Sequence, residues 1–189
     1  MQQQAYSKVY RIMHWAIAFC MLGLLLTIFL RLTWLNKFEV ATIIENYLAD
    51  NSLSLSEDER ITLAKKIRKP MWQWHIYLGY ALTALYSIRL ALPFFGEMSF
   101  TNPFKKELTK EEKLKYVTYT LFYVFVAISL ITGLIIEHGP KEYKHTMEEI
   151  HELSIYYLVA FIVIHFAGVL RAEFTHDKGI ISRVISGLK

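Results

Sequence analysis

Apolar residues in this chain gather into four long runs rather than into alternating or striped patterns. Positions 12–30 carry no charge, positions 71–92 carry only Arg89 near their end, and positions 116–136 and 153–170 are again uncharged. A helix needs about 20 mostly apolar residues to cross the hydrocarbon of a bilayer. It is also the one local structure that satisfies its own backbone hydrogen bonds there. The pattern predicts four transmembrane helices, over about residues 9–31, 71–94, 116–137 and 150–172, forming an all-α integral membrane four-helix bundle in a single domain of residues 1–189. The first run is long, and Phe29-Leu30-Arg31-Leu32 after it offers no small-residue cleavage site, so it reads as a span and not as a removed leader.

The connections between the runs carry their own signals. The first, from about 32 to 70, is the longest. Phe38, Ile43, Ile44, Tyr47 and Leu48 recur in it at helical spacing, as do Ile61, Ala64, Lys65 and Ile67. Ser56 three residues before Glu59 is a capping box. Two short amphipathic helices are therefore expected in this loop, lying on the outer face or capping the bundle. In the second connection Asn102-Pro103 marks a turn, and Thr109 before Glu112 repeats the capping box. Gly139-Pro140 should stop the third span after His138, and Gly179 to Ile185 reads as an interfacial helix near the C-terminus.

Composition narrows the class. The chain is 54% hydrophobic with a formal net charge of +4, and its cations sit in loops without the patterned basic face of a nucleic-acid binder. By the positive-inside rule they orient the chain. With an even number of spans both termini share a side, which collects twelve Lys and Arg against nine opposite. Both termini are thus expected in the cytoplasm. The lone cysteine, Cys20, excludes an internal disulfide, a CxxC site and covalent haem attachment, and reads as a small packing residue.

Four histidines carry the chemistry. His14, His75, His151 and His165 lie near the membrane ends of the spans, where an imidazole is costly and needs a purpose. Fourteen residues of helix advance about 21 Å and return to within about 40° of the same face, so His151 and His165 point one way at two depths. The connectivity puts His14 level with His165 on the cytoplasmic side, and His75 level with His151 outside. Two stacked haems, each held by two imidazoles, require that arrangement. Such iron has no open position, which suits one-electron transfer rather than oxygen activation. Gly79 and Gly168 lie four and three residues after His75 and His165. They would let a macrocycle approach the backbone, or serve as helix contacts. Arg89 shares the face of His75 at cytoplasmic depth, where it could pair with propionates of the inner haem or snorkel to the interface. Tyr116, Tyr119 and Tyr123 form a stripe that is either packing or a wall for a quinone headgroup. His138, His145 and His176 read as surface residues, and Trp15, Trp34, Trp72 and Trp74 as interfacial anchors.

Several segments are similar to one family. Tyr10-Arg11-Ile12-Met13-His14-Trp15, His75-Ile76-Tyr77-Leu78-Gly79 with Arg89, and His151-Glu152 followed by His165 and Gly179-Ile180-Ile181-Ser182 resemble the bacterial and nickel-hydrogenase branch of the cytochrome b561 family. The resemblance spans all four helices and implies two haem b groups with the same four histidine ligands, in a bacterial inner-membrane protein that passes electrons between the quinone pool and a redox partner or small oxidant. One version acts alone as a quinone oxidoreductase of the superoxide type. Another is the membrane anchor of a hydrogenase or molybdenum reductase, with a soluble redox subunit as partner. A non-redox transporter or scaffold using histidines for proton relay or zinc is the competing class. It lacks titratable groups continuous with depth, and zinc would need three or four ligands gathered at one level. The long first connection departs from compact members of the family.

Overall fold

The computed structural model describes residues 6–175 and 177–187, so His176 and Lys189 lie outside it. Among the described residues the chain is helical throughout, without strands. Seven α-helices follow in order: α1 Lys8–Leu32, α2 Lys37–Asp50, α3 Glu57–Ala91, α4 Lys110–His138, α5 Lys144–Glu152, α6 Ser154–Phe174 and α7 Ile180–Ile185. Short 3-10 turns at Leu92–Phe95 and Lys141–Tyr143 complete the list. Four helical stretches are long and apolar enough to cross a membrane: Lys8–Leu32, Glu57–Phe95, Lys110–His138 and Lys141–Phe174.

The spans are apolar on every side. Phe19 is 65% exposed, and Leu22, Leu26 and Phe29 on the same helix are also exposed. In water such a surface would drive association, whereas in lipid it faces its own kind of solvent. Buried apolar positions are accordingly few and small-scale, among them Met13, Leu82, Val126 and Leu158.

Two compact units divide the chain, one made of the residues up to Trp15 and from Ser87 onward, the other of Ala16–Tyr86. In the second unit, α2 starts at Asn36, whose side chain accepts from Phe38 N at 2.9 Å. It packs against the first turns of α3 through Val40 and Ala41 on Ala64, with Leu35, Ile44 and Ile61 around them. Ala64 is wholly buried, and its small side chain sets how closely the two helices meet. An ion pair from Arg60 to Glu45 at 2.9 Å closes the hairpin. The large apolar residues that mark α2 in the sequence mostly turn the other way: Phe38, Ile43 and Tyr47 are exposed, and small Val40 and Ala41 do the packing.

The second short helix expected in this connection is not separate. Ser56 caps it as anticipated, with Ser56 N to Glu59 Oε2 at 2.9 Å and Glu59 N to Ser56 Oγ at 3.4 Å. From Glu57 the helix then runs straight on through Pro70 into the second span. Proline removes one backbone donor at that point, but no glycine or turn residue adjoins it, so the helix continues.

In the first unit, α1 is capped by Ser7, whose Oγ accepts from Tyr10 N at 3.1 Å and donates to Glu97 Oε2 at 2.8 Å. The capping box of Thr109 and Glu112 opens α4, and Gly139 ends it after His138. The charged stretch after Pro140 is helical rather than a plain loop. It forms α5, which is separated from α6 by Leu153, where the bonding tightens to Leu153 N–Ile150 O at 3.3 Å. His138 and His145 thus end α4 and open α5, both exposed. The C-terminal helix forms as expected, with Glu173 accepting from Gly179 N and Ile181 N, and with Arg183 bonded to Asp177 and to Lys178 O.

Candidate functional site

The first unit brings His14 and His165 together. Their ring centroids are 6.1 Å apart, tilted at 42°. A metal–imidazole bond of about 2 Å, plus roughly 1 Å from each nitrogen to its ring centre, puts two axial imidazoles on one metal about 6 Å apart. Aromatic rings wall this pair. Tyr10 stacks parallel to His14 at 6.2 Å and Trp15 meets it edge-on at 5.5 Å. Phe161 stacks on His165 at 5.6 Å, with Phe166 and Tyr119 at 6.0 and 6.4 Å. The indole of Trp15, expected only as an interfacial anchor, donates to Val184 O at 3.2 Å and so ties the C-terminal helix to the start of α1.

His151 sits near the other end of the fourth span, on α5 rather than on one unbroken helix with His165. Its Nδ1 lies 3.0 Å from Ser129 O and 3.1 Å from Thr132 Oγ1. A carbonyl oxygen can only accept, so the ring carries its proton on Nδ1 and its lone pair on Nε2. Hydroxyls surround the contact: Ser129 Oγ meets Ser154 Oγ at 2.6 Å and accepts from Tyr157 at 2.9 Å. Gly133 completes the seat, since a Cβ there would come within 3.1 Å of His151 Cε1.

His75 lies in the second unit and shows the same chemistry. Thr27 Oγ1 gives its hydrogen to Leu24 O at 2.6 Å, so its lone pair faces His75 Nδ1 at 2.9 Å. With the threonine oxygen as acceptor, this ring too carries its proton on Nδ1 and its lone pair on Nε2. Trp72 stacks on it at 4.5 Å, almost parallel, and Arg31 lies over Trp72 at 4.2 Å. Two of the four tryptophans thus contact histidines, while Trp34 and Trp74 remain exposed.

Arg89 is buried, 6% exposed, with its guanidinium 4.4 Å from Phe100 and 5.3 Å from Tyr123. Its Nε and Nη1 have no hydrogen-bond partner among the described residues. A snorkelling side chain would reach water, and this one does not. Gly79 and Gly168 have nothing within 4 Å of a built Cβ. The helix-contact role is therefore unsupported at both, and open space adjoins each backbone.

Thr27, Ser129, Thr132 and Gly133 were not singled out from the sequence. Their signal was present: hydroxyls and a glycine interrupting otherwise apolar spans.

Residues 5–187 match the family model of prokaryotic cytochrome b561. The chain belongs to the prokaryotic cytochrome b561 family. No curated protein and no solved structure matches it. As a b561 cytochrome it is a multi-pass membrane protein that binds b-type haem and takes part in electron transfer. The residues present fit that group. A buried guanidinium with two nitrogens unpartnered among the described residues fits an anion such as a carboxylate, and among those residues His165 Nδ1 is likewise buried without a partner. Two other imidazoles are held in the tautomer that ligates through Nε2.

Proposed function

We propose that this b561 cytochrome holds two haems across one domain of residues 1–189, His14 with His165 on the inner and His75 with His151 on the outer, and passes electrons between the quinone pool and a partner or small oxidant. The observation that carries the reading is the 6.1 Å separation of the His14 and His165 rings, which matches two ligands of one iron. The outer pair rests on the depth argument and on the tautomer of each imidazole. Bis-histidine iron supplies reversible one-electron chemistry. Arg89 would bind a propionate of the inner haem and hold it in register. Phe161, Trp15 and Tyr10 would exclude water from the inner imidazoles, and Ser129, Thr132 and Thr27 would fix the outer ones. Tyr119 and Tyr123, beside His165 and Arg89 respectively, would form the wall that a quinone headgroup meets. Both termini would face the cytoplasm of a bacterial inner membrane.

The anchor-subunit version has one observation in its favour. At 1.5 Å per residue the 35 residues of α3 run about 52 Å, well beyond a hydrocarbon layer of about 30 Å. Its first turns and α2 offer a partner protein a surface outside the lipid. Transporter and scaffold readings fall away with the family. A zinc site lacks support too: among the described residues no group of three or more His, Cys, Asp or Glu is placed to hold a metal ion.

A reduced-minus-oxidised spectrum with a haem-to-protein ratio tests the proposal. A ratio near two, with reduction by a quinol, is expected; a colourless protein after reconstitution with haemin overturns it. Recovery of a stoichiometric soluble redox subunit would select the anchor version.

A further inference from the structure

The second unit brings two half-buried cations to one aromatic ring. Arg31 lies in the last turn of α1, one turn after Thr27, the residue that holds His75. Its guanidinium is 4.2 Å from the centre of the Trp72 ring, and Trp72 stacks on His75 at 4.5 Å. On α3 the order is Arg68, Trp72, His75 and Gly79, spaced four, three and four residues apart. At about 100° per residue these four stay within about 60° of one face. Lys65, Lys66 and Lys69 around Arg68 are exposed, whereas Arg68 and Arg31 are half-buried.

The charges of both arginines are unanswered among the described residues. Arg60, two turns before Arg68, pairs with Glu45 at 2.9 Å. Neither Arg31 nor Arg68 takes part in any ion pair there. The charge of Arg31 instead acts against that of Arg68. Like charges held together in a half-buried place cost free energy, and an anion between them removes that cost. A guanidinium stacked on an aromatic face keeps the N–H donors in its own plane free for such an anion.

We propose that Arg31 and Arg68 form a clamp for the carboxylates of the haem that His75 ligates. This rests on the reading above that His75 is a haem ligand, and on nothing about the second ligand. Haem b is amphiphilic, with its propionates on one edge and an apolar edge opposite. The face of α3 has the same order. Its cations lie at the aqueous end, the imidazole in the middle, and open space adjoins the Gly79 backbone further in. The seven residues from Arg68 to His75 rise about 10 Å, which an arginine side chain and a propionate arm span together. Arginine suits the task better than the lysines beside it, because its planar fork meets a carboxylate with two parallel hydrogen bonds. Such a clamp fixes the rotation of the macrocycle about the iron–imidazole bond. A lipid phosphate is the other anion at this depth, but both arginines share the face of the residues that hold His75, not the exposed one.

The test is the rate of haem release from the full chain in detergent to a haem-scavenging apoprotein. Arg31→Gln, Arg68→Gln, the double variant and Arg31→Lys are compared, each loaded with haem or with haem dimethyl ester. Either glutamine variant should release one haem per chain about fivefold faster, the effect of one partly exposed ion pair. Arg31→Lys keeps the charge and should recover much of the retention. The dimethyl ester carries no charged carboxylate, so with it every variant should release as the unaltered protein does. A packing defect would persist with the ester, and equal acceleration of haem and ester overturns the inference. So does a double variant that releases haem at the original rate. Loss of bound phospholipid phosphorus from the glutamine variants, with haem release unchanged, overturns it in favour of a headgroup site. A His75→Ala protein that keeps its full haem content overturns the reading of His75 as a ligand, and the inference with it.

Discussion

The seats of His151 and His165 are built on opposite plans. His151 is positioned by protein: a carbonyl and a hydroxyl hold one nitrogen, and the bare backbone of Gly133 receives the ring. His165 stands among aromatic faces with its Nδ1 unanswered among the described residues, within reach of a second imidazole and in the same unit as a buried guanidinium two of whose nitrogens have no partner there. One seat is organised before any ligand arrives. The other is a collection of unmet demands that a ligand would satisfy. The difference teaches that a site of the first kind tolerates emptiness, whereas one of the second kind is stabilised by filling.

The sharpest way to break this contrast is His165→Ala. It should remove the inner haem and leave the outer, taking the pyridine-haemochrome ratio from near two to near one. Loss of both haems would mean that the levels are not independent. Next in size is Gly133→Val. A branched side chain where even a Cβ comes within 3.1 Å of His151 overpacks the seat by about 1–3 kcal/mol, and the outer haem should dissociate preferentially during gel filtration.

Arg89→Gln should separate the two states of the inner seat. In haem-free protein it removes a desolvated charge with no counter-ion and should raise thermal stability by about 1–3 kcal/mol. In loaded protein it should weaken retention of the inner haem and lower its potential. If stability falls in both states, the contacts of the guanidinium with Phe100 and Tyr123 outweigh its desolvation. The smallest expected effect lies far from either seat. Ser56→Ala deletes the cap of α3 and should cost about 1 kcal/mol in the hairpin, read as faster proteolysis there, with haem content and both potentials unchanged.

Much of this was legible before any coordinates. Four long apolar runs, three of them charge-free, are the direct imprint of a lipid solvent, and the capping residues Ser56, Thr109 and Gly139 mark helix ends by short-range chemistry alone. One helix enters and another ends on the same side, which is why His14 and His165 could be named as neighbours. What periodicity could not supply was the break at Leu153, since neither proline nor glycine announces it. Nor could it show that α3 runs on through Pro70, because a proline normally argues for a boundary. The inward face of α2 was not legible for a related reason: bulky residues advertise burial, yet close helix contact selects small ones such as Ala41 and Ala64. The supporting hydroxyls of Thr27, Ser129 and Thr132 stayed hidden because a lone polar group in an apolar run has many bland uses.

The uninterrupted course of α3 has a mechanical side. His75 lies five residues beyond Pro70 on the same rod that begins at Glu57 in the hairpin. No flexible loop absorbs strain between them; the missing amide at Pro70 provides a single point of bending. A load applied at the hairpin is therefore delivered as torque to the imidazole and to Trp72 stacked on it, which makes the first turns of this helix a handle on an electron carrier.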